Sequence, residues 1–341
     1  MTNKQNIDFA QNVNALGEPK GFGALVSNNS DLLLNYPDPK NKDINSSLVK
    51  FLGVKENSVA YINGSTEAFF RLPTFLKKPK SLIIQPTFWE YEVANKKAGR
   101  KIETFLLNET SKFELDFGKL DKKITNDTVI YLCNPNNPTS TLFIKNEFLR
   151  IIQKYKNADF VVDETYLIFR QDYEKLTLVK YAQRLKNLYV VSSLSKIFAL
   201  PGIRAGFLVS HPKNVADYME TKTPYDSSPL SGAITKWAVK QNEYLQETRD
   251  YYELARKDFA DLLERELDGK LLIFKPQANF ILAKILTNQT STAVTKLLAK
   301  RGILIRDGAE LPHLNNKWIR FTINKQSYNK KLVINLKNIL S

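Results

Sequence analysis

Between residues 58 and 210 short apolar runs rich in β-formers alternate with stretches that suit helices, and this rhythm restricts the fold more than anything else in the chain. The runs fall at 58–62, 81–85, 101–107, 128–133, 159–162, 188–191 and 205–209. Helical candidates lie between them at 66–76, 90–98 and 145–156. Strands that alternate with helices imply an α/β domain: a mostly parallel sheet with helices on both faces, three layers in all. Pro73 should kink or shorten the first of these helices. After Ser228-Pro229 the pattern changes. Residues 230–267 carry apolar positions at helical spacing and read as two successive helices. Strands follow at 271–274, 278–285, 303–306 and 318–323, with helices at 291–300 and 327–340, which describes a smaller α+β domain. The expected division is an arm over 1–35 that joins the small domain, a large domain over 36–240 and a small domain over 241–341.

Composition narrows the class. The 341 residues hold one cysteine, Cys133, and two histidines, His211 and His313, so neither a disulfide framework nor a Cys/His metal cluster is expected. No run approaches the ~18 apolar residues of a membrane helix. The opening residues lack a basic-then-apolar leader, and a cytoplasmic protein is expected. A formal charge of +15 invites comparison with nucleic-acid binders. The lysines are dispersed, as in Lys77-Lys78-Pro79-Lys80, with no arginine-rich arm or zinc finger. They read as solvated surface, and nucleic acid is not expected as a partner.

Three polar clusters sit directly after β-rich runs: Asn134-Pro135-Asn136-Asn137-Pro138-Thr139, Asp163-Glu164-Thr165-Tyr166 and Ser193-Leu194-Ser195-Lys196. In open parallel sheets ligands bind beyond the carboxyl ends of the strands, so these clusters can share one crevice. Asn63-Gly64-Ser65-Thr66-Glu67 lies between a strand and a helix. There Gly64 permits a tight turn, Ser65 or Thr66 can cap the helix, and the free N–H groups suit a phosphate. Arg204 and the hydroxyls of Ser193 and Ser195 can complete an anion cradle. Lys196 lies among hydroxyls eight residues before that arginine. An amine with a lowered pKa in such a place can react with an aldehyde. Arg320 stands in Trp318-Ile319-Arg320-Phe321-Thr322, a strand otherwise fit for burial, and so requires an anion or a structural carboxylate.

Taken together, the blocks at 63–68, 86–91, 134–140, 163–166, 193–204 and 318–323 resemble the class I/II aminotransferases of the fold-type I pyridoxal-phosphate enzymes. The resemblance spans nearly the whole chain. It implies that Lys196 holds pyridoxal 5'-phosphate as an internal aldimine and then moves the substrate's α-proton. Asp163 would pair with the pyridine nitrogen, Asn137 and Tyr166 would hydrogen-bond the phenolic oxygen, and Phe88 would stack on the ring. Gly64, Ser65, Thr66, Ser193, Ser195 and Arg204 would surround the phosphate. Tyr36 would reach into the partner's site of a homodimer with shared active sites. Arg320 would bind the substrate carboxylate, with Arg306 for a second anion and Asn14 as a further substrate contact.

Within that family the segments at 12–17, 36–39 and 306–307 resemble two sister groups, histidinol-phosphate aminotransferase and threonine-phosphate decarboxylase. Pro86-Thr87-Phe88-Trp89-Glu90-Tyr91 and Phe198-Ala199-Leu200-Pro201-Gly202 lean toward the second. The chain departs from the pattern in lacking an early His-Gly-Gly-Asn, in Ala15 where proline is usual, and in Ser140 where the Asn-Pro-Thr-Gly motif has glycine. The leading expectation is an aminotransferase that moves an amino group between a small amino acid or amino-phosphate and a 2-oxo acid. A phospho-amino-acid decarboxylase on the same scaffold is the alternative. A non-catalytic regulatory protein is the reading from another class.

Overall fold

The computed structural model describes residues 6–341; the first five residues of the expected arm lie outside them. The centre is a seven-stranded sheet in the order Val59–Ile62, Gly206–Val209, Leu188–Ser193, Asp159–Asp163, Thr128–Cys133, Lys80–Gln85, Lys101–Leu106. Only Gly206–Val209 runs antiparallel to its neighbours. Thr128–Cys133 and Leu188–Ser193 are buried at every position. Continuous apolar runs of this kind result when helices cover both faces of a parallel sheet. Three parallel strands end in Cys133, Asp163 and Ser193, so the polar clusters that follow emerge side by side at one edge of the sheet.

The helix Ser65–Phe75 passes through Pro73 and ends two residues later. The expected pair of helices after Pro229 is present as Pro229–Ala238 and Asn242–Glu266, the latter 25 residues long. Beyond it a four-stranded antiparallel sheet is ordered Arg306–Asp307, Trp318–Thr322, Phe280–Ile285, Leu271–Ile273. The single strand expected at 303–306 is in fact two. Ile303–Leu304 pairs with Ile7–Asp8 of the arm, and Arg306–Asp307 pairs with Trp318–Thr322. Pairing passes from one partner to the other at Ile305, where the chain changes sheets. Among the described residues no helix is long and apolar enough to cross a membrane.

The departure at Ser140 has a structural role. Its φ is +60°, a conformation that favours glycine. The hydroxyl accepts hydrogen bonds from the N–H groups of Gln277 (3.0 Å) and Ala278 (2.9 Å), which joins the loop after Thr128–Cys133 to the chain leading into Phe280–Ile285. A glycine has no such acceptor.

Candidate active site

One cavity of about 250 Å³ collects the polar clusters. Its walls include Ser65, Thr66, Phe88, Asn137, Asp163, Tyr166, Ser193, Ser195, Lys196, Arg204, Arg306 and Arg320. These residues come from the carboxyl ends of the parallel strands, from one helix start and from the four-stranded sheet. Hence the cavity lies between the two sheets, where the order of strands reverses.

Lys196 belongs to the short helix Leu194–Ile197, capped by the Ser193 hydroxyl. Its amine donates to the Gln11 carbonyl at 2.8 Å. Burial, then the charges of Arg320 and Arg204, lower its pKa from the ordinary 10.5 to about 8. Asp163, 4% exposed, is the only carboxylate lining the cavity among the described residues. Its Oδ1 accepts the Thr165 N–H at 2.9 Å and its Oδ2 the Tyr91 hydroxyl at 2.7 Å. Burial raises the Asp163 pKa, while these two hydrogen bonds oppose the rise.

Gly64 has φ +77°, and a Cβ there would lie 2.7 Å from Nη2 of Arg204. The turn therefore excludes a side chain twice, through its backbone and through the guanidinium beneath it. The helix begins at Ser65 with Gly64 as its N-cap and no side-chain cap. Neither Ser65 nor Thr66 caps it; instead Oε2 of Glu67 reaches back to the Asn63 N–H at 2.7 Å, and Ser65 and Thr66 line the cavity. Arg204 donates to the Asn63 carbonyl at 3.3 Å and the Pro201 carbonyl at 3.5 Å. A helix start, two free hydroxyls, Ser193, Ser195 and a guanidinium make an anion cradle.

Arg320 is 5% exposed and burial pulls its pKa down to about 10. Nη1 donates to Asn137 Oδ1 at 2.6 Å and Nη2 to the Ala10 carbonyl at 2.5 Å, while Nε is buried without a partner. Arg306 is its direct cross-strand partner. The Arg306 Nε is also buried without a partner, and Nη1 lies 3.5 Å from the exposed Glu310 carboxylate. Tyr166 has its pKa raised to about 12, chiefly by burial, and its hydroxyl accepts from the Asn12 amide at 3.4 Å. Phe88 forms a half-buried wall, edge-on to Phe69 and Tyr91.

Two expected residues lie elsewhere. Asn14 lies outside this cavity. Its amide nitrogen is within hydrogen-bond distance of the Ile197 carbonyl, the Tyr244 hydroxyl and Thr248, and its Oδ1 accepts from Leu16 N–H, contacts that fix the arm. Asn12, two residues earlier, lines the cavity in its place. Tyr36 is 87% exposed, outside this cavity, with its ring 5.5 Å from that of Tyr225. Ala10, Gln11, Thr165 and Pro201 also line the cavity and were not singled out from the sequence.

With the geometry in place, comparison with known proteins is direct. The family model for class I and II aminotransferases matches residues 4–336, and the chain belongs to that family. The chain is 30% identical over 308 residues to the histidinol-phosphate aminotransferase of Caldanaerobacter subterraneus subsp. tengcongensis, covering 90% of this chain and 84% of the relative. It is 27% identical over 341 residues to the threonine-phosphate decarboxylase of Salmonella typhimurium, covering 99% and 92%. Among solved structures the histidinol-phosphate aminotransferase from Clostridium acetobutylicum matches with a TM-score of 0.91 at 26% identity, over 98% of this chain and 99% of that one. The fold is that of the fold-type I pyridoxal-phosphate enzymes, and the family is one that uses pyridoxal 5'-phosphate.

The residues present suit that cofactor. Four cationic side chains, Lys196, Arg204, Arg306 and Arg320, face the cavity against the one carboxylate of Asp163. Two of the guanidinium groups carry buried N–H groups without partners. Such an arrangement is costly unless anions complete it. A phosphate at the Gly64–Arg204 cradle would answer Arg204, and anions at Arg320 and Arg306 would answer the two unpartnered N–H groups.

Proposed function

We propose that this protein is a pyridoxal 5'-phosphate-dependent aminotransferase that moves an amino group between a small amino acid or amino-phosphate and a 2-oxo acid. The observation that carries the reading is Lys196: an amine with a pKa near 8 that shares one small cavity with a buried carboxylate and three guanidinium groups. When bound, the cofactor supplies an aldehyde and a protonated pyridine ring that takes up the electron pair left at the substrate Cα.

The chain's own groups divide the remaining work. Lys196 Nζ is half neutral near pH 8, so it can join a carbonyl and can also accept and return a proton at nitrogen. Asp163, held in place by Tyr91 and Thr165, would accept the ring N–H. Asn137 Nδ2 and the Tyr166 hydroxyl would serve the phenolic oxygen, and Phe88 would pack against the ring. Ser65, Thr66, Ser193, Ser195, Arg204 and the backbone at Gly64 hold the phosphate. Arg320 binds the α-carboxylate, already aligned by Asn137 and the Ala10 carbonyl. Tyr36 reaches the partner's site in a homodimer, which its exposure beside Tyr225 supports.

A second reading is a threonine-phosphate decarboxylase-like lyase. The direct opposition of Arg306 and Arg320 favours it, because like charges placed across a strand pair are destabilising unless an anion lies between them. One experiment tests both. Purified protein loaded with pyridoxal 5'-phosphate is given glutamate, threonine phosphate and histidinol phosphate, each with a 2-oxo acid, while conversion of that 2-oxo acid to its amino acid and carbon dioxide release are followed. Amino acid formed from the 2-oxo acid without carbon dioxide supports the aminotransferase; stoichiometric carbon dioxide from threonine phosphate replaces it with the lyase. Full turnover by Lys196→Ala would reject both.

A further inference from the structure

Trp89 lines the cavity yet serves neither the cradle, nor Lys196, nor Arg320. Its backbone is fixed at the start of the helix Glu90–Lys97, where its carbonyl accepts the N–H groups of Glu92 and Val93, both at 3.1 Å. Its indole is half buried, 5.0 Å from the Phe88 ring and tilted 57° to it. The guanidinium carbon of Arg306 lies 5.0 Å from the indole centre. The face of an aromatic ring attracts a guanidinium and favours a flat, stacked arrangement. Among the described residues Arg306 otherwise has only a 3.5 Å contact with an exposed carboxylate to direct it, and its Nε is buried without a partner there. Trp89 is thus the group that holds this arginine at the cavity wall beside Arg320.

The space is small. The cavity is about 250 Å³, at the low end of small-molecule sites, which commonly run to about 300–1,000 Å³. A bulky indole at the wall removes room that a ring-bearing side chain would need. Resting on the reading above that Lys196 and Arg320 receive an amino substrate, we infer that Trp89 is a specificity-determining residue. It aligns Arg306 and limits the site to a short amino acid whose side chain ends in a second anion. The two substrates named for the relatives separate cleanly on this basis. Threonine phosphate carries a carboxylate on Cα and a phosphate one carbon further. Histidinol phosphate carries one phosphate and an imidazole.

The test uses full-length Trp89→Ala and Trp89→Phe. Competition kinetics with cofactor-loaded protein give kcat/KM for threonine phosphate and histidinol phosphate. Calorimetry with inorganic phosphate as titrant, run with and without cofactor, reads anion binding apart from turnover. In Trp89→Ala the preference for threonine phosphate over histidinol phosphate should fall by about tenfold or more, the size expected when a pocket wall is removed. Phosphate binding to the loaded protein should weaken by roughly tenfold, in line with a lost desolvated cation–π contact. Trp89→Phe keeps a ring beside Arg306 and should stay within about threefold of wild type on both counts. A preference and a phosphate affinity unchanged in Trp89→Ala would overturn the inference, and so would a wild type that prefers histidinol phosphate. Failure of the proposed function looks different: the wild type itself captures no cofactor, and the calorimetric comparison of wild type with Trp89→Ala then decides the role of the indole alone.

Discussion

Replacing Tyr91 by Phe removes one oxygen from the set that governs Asp163. That carboxylate has two donors, the Tyr91 hydroxyl at 2.7 Å and the Thr165 N–H at 2.9 Å, and burial opposes its charge. The Tyr91 ring is itself buried, packed edge-on to Phe69 at 4.7 Å and stacked near Tyr131 at 5.9 Å, so Phe keeps the packing and loses only the donor. A hydrogen bond to a charged group contributes about 1.5–3 kcal/mol. If Asp163 must be ionised to accept the pyridine N–H, cofactor affinity should fall by up to roughly ten- to a hundredfold on the acid side, where the variant's Asp163 is protonated and the wild type's is not, at 1.4 kcal/mol per factor of ten. The sign of the pH effect follows. With one stabilising donor gone, the Asp163 carboxyl takes up a proton at higher pH than in wild type, so cofactor retention on the acid side is lost earlier. Equilibrium dialysis against pyridoxal 5'-phosphate from pH 5 to pH 8, read by the visible absorption band, measures both effects. An unchanged dissociation constant with an unchanged acid limb would refute the reasoning, because Asp163 would then hold its charge without Tyr91.

Lys196→Met tests the cost of the half-buried amine. The folded pKa near 8 lies below the unfolded 10.5, so the unfolded chain binds the proton more tightly and stability without cofactor rises as pH increases from about 8 to about 10.5. The variant should be more stable than wild type at pH 7, by about 1–3 kcal/mol, and should lack that rise, which urea unfolding at pH 7 and pH 10 will show. Gly64→Ala, with φ +77° and a Cβ 2.7 Å from Arg204, should displace the guanidinium, destabilise the fold by about 1–2 kcal/mol and weaken cofactor binding in the same dialysis assay. Ser140→Ala leaves the Ala278 N–H without an acceptor and should lower stability by about 1–2 kcal/mol in chemical denaturation.

Much of this arrangement could be read from residues because the signals are periodic or anomalous. Strands such as Thr128–Cys133 and Leu188–Ser193 announce themselves as continuous apolar runs, and the rule for parallel sheets then places Asn137, Asp163 and Lys196 at one edge. Arg320 stands out because a charge interrupts an apolar strand. Residues 10–14 gave no such signal. They lie in an irregular segment where Asn12 adopts φ +54°, so nothing in Asn12-Val13-Asn14 says which amide turns to the cavity. The cap at Gly64 is not legible because Ser, Thr and Glu all suit a helix start, and tertiary position decides that Glu67 closes it. The break at Ile305 arises from the arm competing with the sheet for one run of β-formers, a choice made by partners distant in sequence.

Lys196 as the covalent anchor is the claim on which the account depends. Borohydride reduction of the protein after incubation with pyridoxal 5'-phosphate, followed by peptide mass mapping, tests it most directly. The account predicts one pyridoxyl group per chain, on the peptide that contains Lys196, with loss of that label in Lys196→Met. A label spread over surface lysines, or fixed on any other single lysine, would contradict it.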